Sequence, residues 1–174
     1  MFAGIEVGGV VKSSDGGKSW HQLHGLHDDI HLINVSKASP HRIYVATAEA
    51  PYRSDDGGGN WDVINDGLER RYTLHISAAP HDADVVLVTV SSNAGRSNPQ
   101  FYRSTDGGNH WQLIESVGNG VDMVVAIDWD PIVQNRVYAG TDGGKIYCSN
   151  DGGQEWEPVQ VQLATIAIGA MLVV

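Results

Sequence analysis

Glu6, Asp28 and Asp122 are carboxylates in turn-like stretches of a chain otherwise rich in short β-forming runs. Two carboxylates facing each other about 5 to 10 Å apart across a cleft are what acid and base catalysis at a glycosidic bond requires. A wider set at similar turns, Glu6, His27, His31, Arg71, Tyr72 and Asp122, suits a different task. It offers a donor, acceptors, imidazoles and a ring for stacking, a mixture that holds a polar ligand such as a glycan or a peptide without reaction. These residues are scattered over more than a hundred positions, so either use depends on a fold that brings distant turns together.

Other chemistries find little support. His21, His24, His27 and His31 stand close in sequence, but no His-Glu-x-x-His or equivalent spacing sets them on one face, so no metal site is expected. No Ser-His-Asp arrangement, phosphate-cradling glycine loop or activated cysteine is recognisable, and no cofactor is expected. The formal net charge of -10 repels phosphate backbones and anionic lipid, which argues against nucleic acid and membrane surfaces as partners. The apolar run that ends the chain, LATIAIGAMLVV, is too short to cross a bilayer as a helix and reads as a buried strand. A single cysteine, Cys148, with no secretory signal in MFAGIEVGGVVKSS, points to a reducing, cytoplasmic setting.

What must position the turn residues is a repeat. The pattern S-x-D-x-G-x-x-W occurs four times: Ser13, Asp15, Gly17, Trp20; Ser54, Asp56, Gly58, Trp61; Ser104, Asp106, Gly108, Trp111; and Ser149, Asp151, Gly153, Trp156. The spacings of 41, 50 and 45 residues match one supersecondary unit per repeat. Each unit has the same order: an apolar or alternating run (IHLINVS, YTLHISA, MVVAIDW), a proline turn, a β-branched run (RIYVAT, VVLVTV, RVYAGT), a run ending in the serine, and a last run from the tryptophan. This predicts an all-β chain built as a β-propeller of four-stranded antiparallel blades, with strands A to D from the inside outwards. The repeated phrase falls at the turn from C to D, where glycines permit positive φ, the aspartate accepts turn N–H groups and the tryptophan packs back between sheets. The sixteen pattern residues are therefore expected to be structural. Trp129 belongs to an A strand and is expected to be buried.

On these residues the chain resembles the Asp-box, or BNR, repeat proteins: sialidases, xyloglucan-type glycosidases, sortilin-type receptors and the photosystem II assembly factor. The resemblance covers nearly the whole chain. It implies the propeller, while the relatives share the repeat and little of their chemistry. A sialidase would need three converging arginines and a tyrosine with a glutamate partner. Arg70, Arg71, Arg96 and Tyr72 are present, but Arg70 and Arg71 are adjacent and the Arg-Ile-Pro signature is missing, HRIYV being the nearest sequence. The xyloglucan-type enzymes imply paired carboxylates, for which Glu6, Asp28 and Asp122 are the candidates. The assembly factor implies a docking scaffold for protein. A non-catalytic binding or scaffold propeller, recognising a glycan or protein on the face opposite the repeated turns, is the leading expectation, with a glycoside hydrolase as the alternative and a sialidase behind it. The mouth on that face also holds His24, Asp29, Glu49, Asn93 and Asp142, with His75 just inside.

Residues 1–174 read as one propeller domain whose first blade starts at its B strand. The run 165–174 looks like an A strand, and it is expected to complete the first blade by pairing with residues 1–7. A four-bladed ring, part of a larger ring, and an eight-bladed ring of two chains joined through terminal strands all satisfy this reading.

Overall fold

The computed structural model describes residues 1–165 and 169–174. The first sheet holds β1 (Phe2–Ile5), β2 (Gly9–Lys12) and β3 (His21–Gln22), and the second β4 (Ile30–Val35), β5 (Ile43–Thr47), β6 (Pro51–Ser54) and β7 (Asp62–Val63). The third holds β8 (Tyr72–Ala78), β9 (Val86–Ser91), β10 (Gln100–Ser104) and β11 (Gln112–Leu113). The fourth holds β12 (Val124–Trp129), β13 (Val137–Thr141), β14 (Lys145–Ser149) and β15 (Glu157–Gln162). Every sheet is antiparallel with neighbours in chain order, so these are propeller blades as the repeat predicts, the first with three strands and the others with four. The last strands of the first three blades are only two residues long, shorter than the sequence suggests. No helix is long and apolar enough to cross a membrane among the described residues.

Each repeated phrase closes its C-to-D turn by the same bonds. The serine hydroxyl accepts the N–H of the glycine four residues on, at 2.8 to 2.9 Å in all four copies, and donates to the aspartate. The aspartate Oδ1 in turn accepts N–H groups further round the turn, as at Asp56 from Gly59 and Asn60. That glycine has φ between 84° and 94° in every copy, a conformation that a β-carbon would strain. These bonds favour the ionised carboxylate and hold Asp15, Asp56, Asp106 and Asp151 below the usual carboxylate range.

Three buried clusters lie between successive blades. Packing runs from β1 to β4, from β4 and β5 to β8, and from β8 to β12, and no comparable packing joins β12 back to β1. The four blades therefore form an arc. In blades two to four the tryptophan of the repeated phrase, or clip, packs against the blade before it: Trp61 lies against the cluster that holds Val10, Trp111 is 2% exposed with its Nε1 donating to Ile64 O at 2.7 Å, and Trp156 meets Phe101 edge-on. The expectation that every clip tryptophan packs between sheets fails at the first. Trp20 is 43% exposed, because no blade lies on that side of it. Trp129 is buried, with its Nε1 donating to Ser77 Oγ.

The expected strand over 165–174 includes residues 166–168, which lie outside the described residues. Residues 169–174 form no strand with residues 1–7; instead Val173 N–H donates to Asp128 Oδ2 at 2.7 Å on the fourth blade. The expectation rested on the run matching the A strand that precedes residues 1–7 in the blade pattern; within one chain the tail instead meets β12 of the fourth blade.

Candidate functional site

The inner strands of blades two to four share an irregularity that aims side chains into the concave side of the arc. Where β4, β8 and β12 pair with β5, β9 and β13, the register skips one residue, leaving His31, Leu74 and Val125 unpaired at equivalent places. A bulge of this kind bends the strand and redirects the extra side chain. All three line a cavity of about 640 Å³, together with Glu6, Asp29, Tyr72, His75, Arg96 and the terminal residues Gly169 to Met171.

The polar side of this cavity is built around His31. Its Nδ1 lies 2.6 Å from Thr73 O, and because a carbonyl only accepts, Nδ1 carries the proton. In the neutral ring Nε2 is then an acceptor, and it stands 3.6 Å from Asp29 Oδ1, itself buried and without a hydrogen-bond partner. Tyr72 lies against the imidazole, with ring centroids 4.7 Å apart. Burial, then the charges of Asp29 and Glu6, hold the Tyr72 hydroxyl above its ordinary pKa, against the opposing pull of Arg96. Arg96 reaches Asp142 at 3.4 Å. On the inner wall the Nδ1 of His75 is sealed from solvent and makes no hydrogen bond; burial pushes this imidazole down to about 4, partly offset by Asp128. The cavity thus presents acceptors whose partners must come from a ligand or from water.

Of the residues singled out in the sequence, Glu6, His31 and Tyr72 line the cavity. The other candidates stand elsewhere. His27 Nδ1 accepts the N–H of Asp29, so it shapes the loop that carries that carboxylate. Arg71 is exposed, and its carbonyl accepts the Thr73 hydroxyl. Asp122 is paired with Lys145 Nζ at 2.9 Å, and the Asp28 carbonyl accepts the N–H groups of Gly8 and Gly9. Glu6, Asp28 and Asp122 therefore do not share the cavity, and the two carboxylates that do are Glu6 and Asp29. The three arginines a sialidase would use do not converge either: Arg96 lines the cavity, Arg70 lies beside Glu69, and Arg71 is exposed outside the cavity lining. Asp29, His75 and Arg96, placed by the sequence at or just inside the mouth but not among the leading ligand-binding candidates, also line the cavity. For His75 the signal was its place on an apolar inner strand. Among the described residues no group of three or more His, Cys, Asp or Glu side chains is arranged to hold a metal.

Comparison with known proteins agrees with this architecture. A probable oligoxyloglucan-reducing end-specific xyloglucanase of Neosartorya fischeri is 28% identical over 120 residues, which make up 67% of this chain and 14% of that protein. The GH74 xyloglucanase from Xanthomonas campestris superposes with a TM-score of 0.72 at 20% identity, over 94% of this chain and 29% of that one. YCF48 bound to D1 peptide superposes with a TM-score of 0.66 at 18% identity, over 90% of this chain and 48% of that one. The chain spans a small part of the xyloglucanases and about half of YCF48, and at these identities the structural likenesses concern the fold. Residues 8–116, well over half of the chain, match the pattern of Sortilin-Vps10 (sortilin, neurotensin receptor 3). With its four clips and stacked blades, the chain belongs to the Sortilin-Vps10 family.

Proposed function

We propose that this chain is a non-catalytic binding module whose channel cavity takes a hydroxyl-rich glycan segment. The observation that carries this reading is Asp29 Oδ1, a buried carboxylate oxygen with no hydrogen-bond partner, 3.6 Å from Nε2 of His31. A sugar hydroxyl donates to one and is positioned by the other, while Tyr72 gives the apolar face of a pyranose a surface to rest on. A cavity of about 640 Å³ accommodates two to three sugar rings in the range usual for small-ligand sites. The xyloglucan-acting relative supports a β-glucan backbone as the first ligand to test.

The test is calorimetric titration of the intact chain with xyloglucan oligosaccharides, with a panel of unstructured peptides in parallel. Binding of the oligosaccharides, weakened at least about tenfold by Asp29→Ala and by Tyr72→Ala, is the expected outcome, since each removes a contact worth about 1.5 kcal/mol. Binding of peptides alone, or oligosaccharide binding indifferent to both substitutions, overturns the reading. A hydrolytic reading has one observation in its favour, the sharing of the cavity by Glu6 and Asp29. Turnover of aryl β-glucosides abolished by Glu6→Gln would establish it in place of simple binding.

A further inference from the structure

We propose that the glycan read into the channel cavity above carries a free amino group, whose ammonium Asp29 and His31 bind together; this rests on that reading and names the sugar class within it.

Two acceptors stand side by side in the cavity. Asp29 Oδ1 is buried and makes no hydrogen bond, and His31 Nε2 lies 3.6 Å from it. With the Nδ1 proton given to Thr73 O, the neutral ring offers only a lone pair at Nε2. Acceptors at this separation both fall within hydrogen-bond reach of one nitrogen. A sugar hydroxyl carries one proton and so serves one of the two. An ammonium carries three and serves both.

Charge favours the ammonium as well. A hydroxyl leaves the carboxylate charge uncompensated, and an ionised carboxylate drawn out of water is costly unless a cation accompanies it. Glu6 adds a second negative charge at the exposed rim, and both charges bear on the Tyr72 hydroxyl. Of the basic side chains along the described lining, Arg96 reaches its own carboxylate, Asp142, at 3.4 Å, and burial keeps His75 neutral down to about 4. Tyr72 lies against His31 with 4.7 Å between ring centroids, which sets an aromatic ring, attractive to cations, beside the same acceptors.

The pair is held in place before a ligand arrives. Asp29 N–H donates to His27 Nδ1 at 3.1 Å and its carbonyl accepts the Ala48 N–H at 3.2 Å, while His31 is the bulge residue of β4, fixed by its bond to Thr73. Little ordering is left to oppose binding. An amino group is close in size to the hydroxyl it replaces, so shape admits both and charge decides. The ligand selected is a β-1,4-linked glucosamine oligomer, which keeps the glucan backbone and bears an ammonium on each ring.

Calorimetric titration of the intact chain with three tetramers of one backbone tests this: the glucosamine tetramer, its N-acetylated form and cellotetraose. The glucosamine tetramer is expected to bind about tenfold more tightly than cellotetraose at low salt, an advantage that N-acetylation removes and added salt diminishes. Asp29→Asn keeps the size of the side chain and drops its charge, and it should bring glucosamine tetramer and cellotetraose to within about twofold of each other. Glu6→Gln, at the exposed rim, should reduce the advantage about threefold. Cellotetraose or the N-acetylated tetramer binding as tightly as the glucosamine tetramer overturns the amino-sugar assignment and leaves the glycan reading standing; Asp29 would then be neutralised within the protein, by His31 protonated on both nitrogens. An advantage that survives Asp29→Asn also overturns it, marking a general attraction of cations to a chain of net charge -10. Silence of all three tetramers, or binding of a lysine-containing peptide alone, overturns it too, and silence of the xyloglucan oligosaccharides as well overturns the glycan reading.

Discussion

Replacing Trp111 with alanine is expected to cost about 3 to 5 kcal/mol of unfolding free energy, the range seen when a large buried aromatic is truncated. The indole is 2% exposed, sits in the cluster between the second and third blades, and ties them through its bond to Ile64 O. Truncation therefore opens a cavity at an inter-blade joint and also leaves a buried carbonyl without its donor. A folded domain holds only about 5 to 15 kcal/mol in total, so this loss reaches expression and solubility as well as the urea midpoint. Trp111→Phe keeps most of the volume and gives up the bond, and a cost of about 1 to 2 kcal/mol is expected for it. Urea unfolding of both variants measures the two parts. Equal losses would show that the bond to Ile64 dominates and that packing between blades matters little.

The contrast between Trp111 and Trp20 shows where sequence reading reaches and where it stops. The spacing of Ser104, Asp106, Gly108 and Trp111 is a local signal, because every bond of the clip falls within a few residues, and so the blade count and the place of the C-to-D turn could be read directly. Burial of the tryptophan is set by the neighbouring blade. Two clips that share the same serine, aspartate, glycine and tryptophan thus place one indole in a core and leave the other 43% exposed. The same limit applies to the site. Tyr72 and His31 stood at turns that the repeat brings to one side, and both line the cavity. Asp122 has the same turn placement but is engaged by Lys145, a partner 23 positions away. The bulges that aim His31, Leu74 and Val125 inwards leave no mark in the order of residue types, since a skipped register depends on how two strands meet. Arg96 enters the site from the turn between β9 and β10, and its approach to Asp142, 46 positions away, depends on how the third and fourth blades meet.

His75 makes the stability of this protein sensitive to pH above the range in which its carboxylates titrate. In the unfolded chain the imidazole has its ordinary pKa of 6.5, while burial in the third blade holds it at about 4. Between these values the unfolded chain binds the proton and the folded chain refuses it, so stability falls as the pH drops from 6.5 towards 4 and the loss is complete below that. A difference of this size corresponds to at most about 3 kcal/mol, and the access that the ring keeps to the channel brings the expected loss to about 2 kcal/mol. Asp128 faces the ring from β12 and softens the effect by favouring the protonated form. The clip carboxylates act in the same direction but later. Their folded pKa values lie below the unfolded ones, so their contribution is intact above about 4 and is lost only as the pH falls further. Urea unfolding at intervals from pH 7.5 to pH 4, on the native chain and on His75→Gln, separates the two. The native chain should lose about 2 kcal/mol more than the variant over this interval, whatever fixed cost the substitution carries. Parallel curves would mean that the imidazole titrates normally in the folded state, and that water reaches Nδ1 from the channel side of the inner strand.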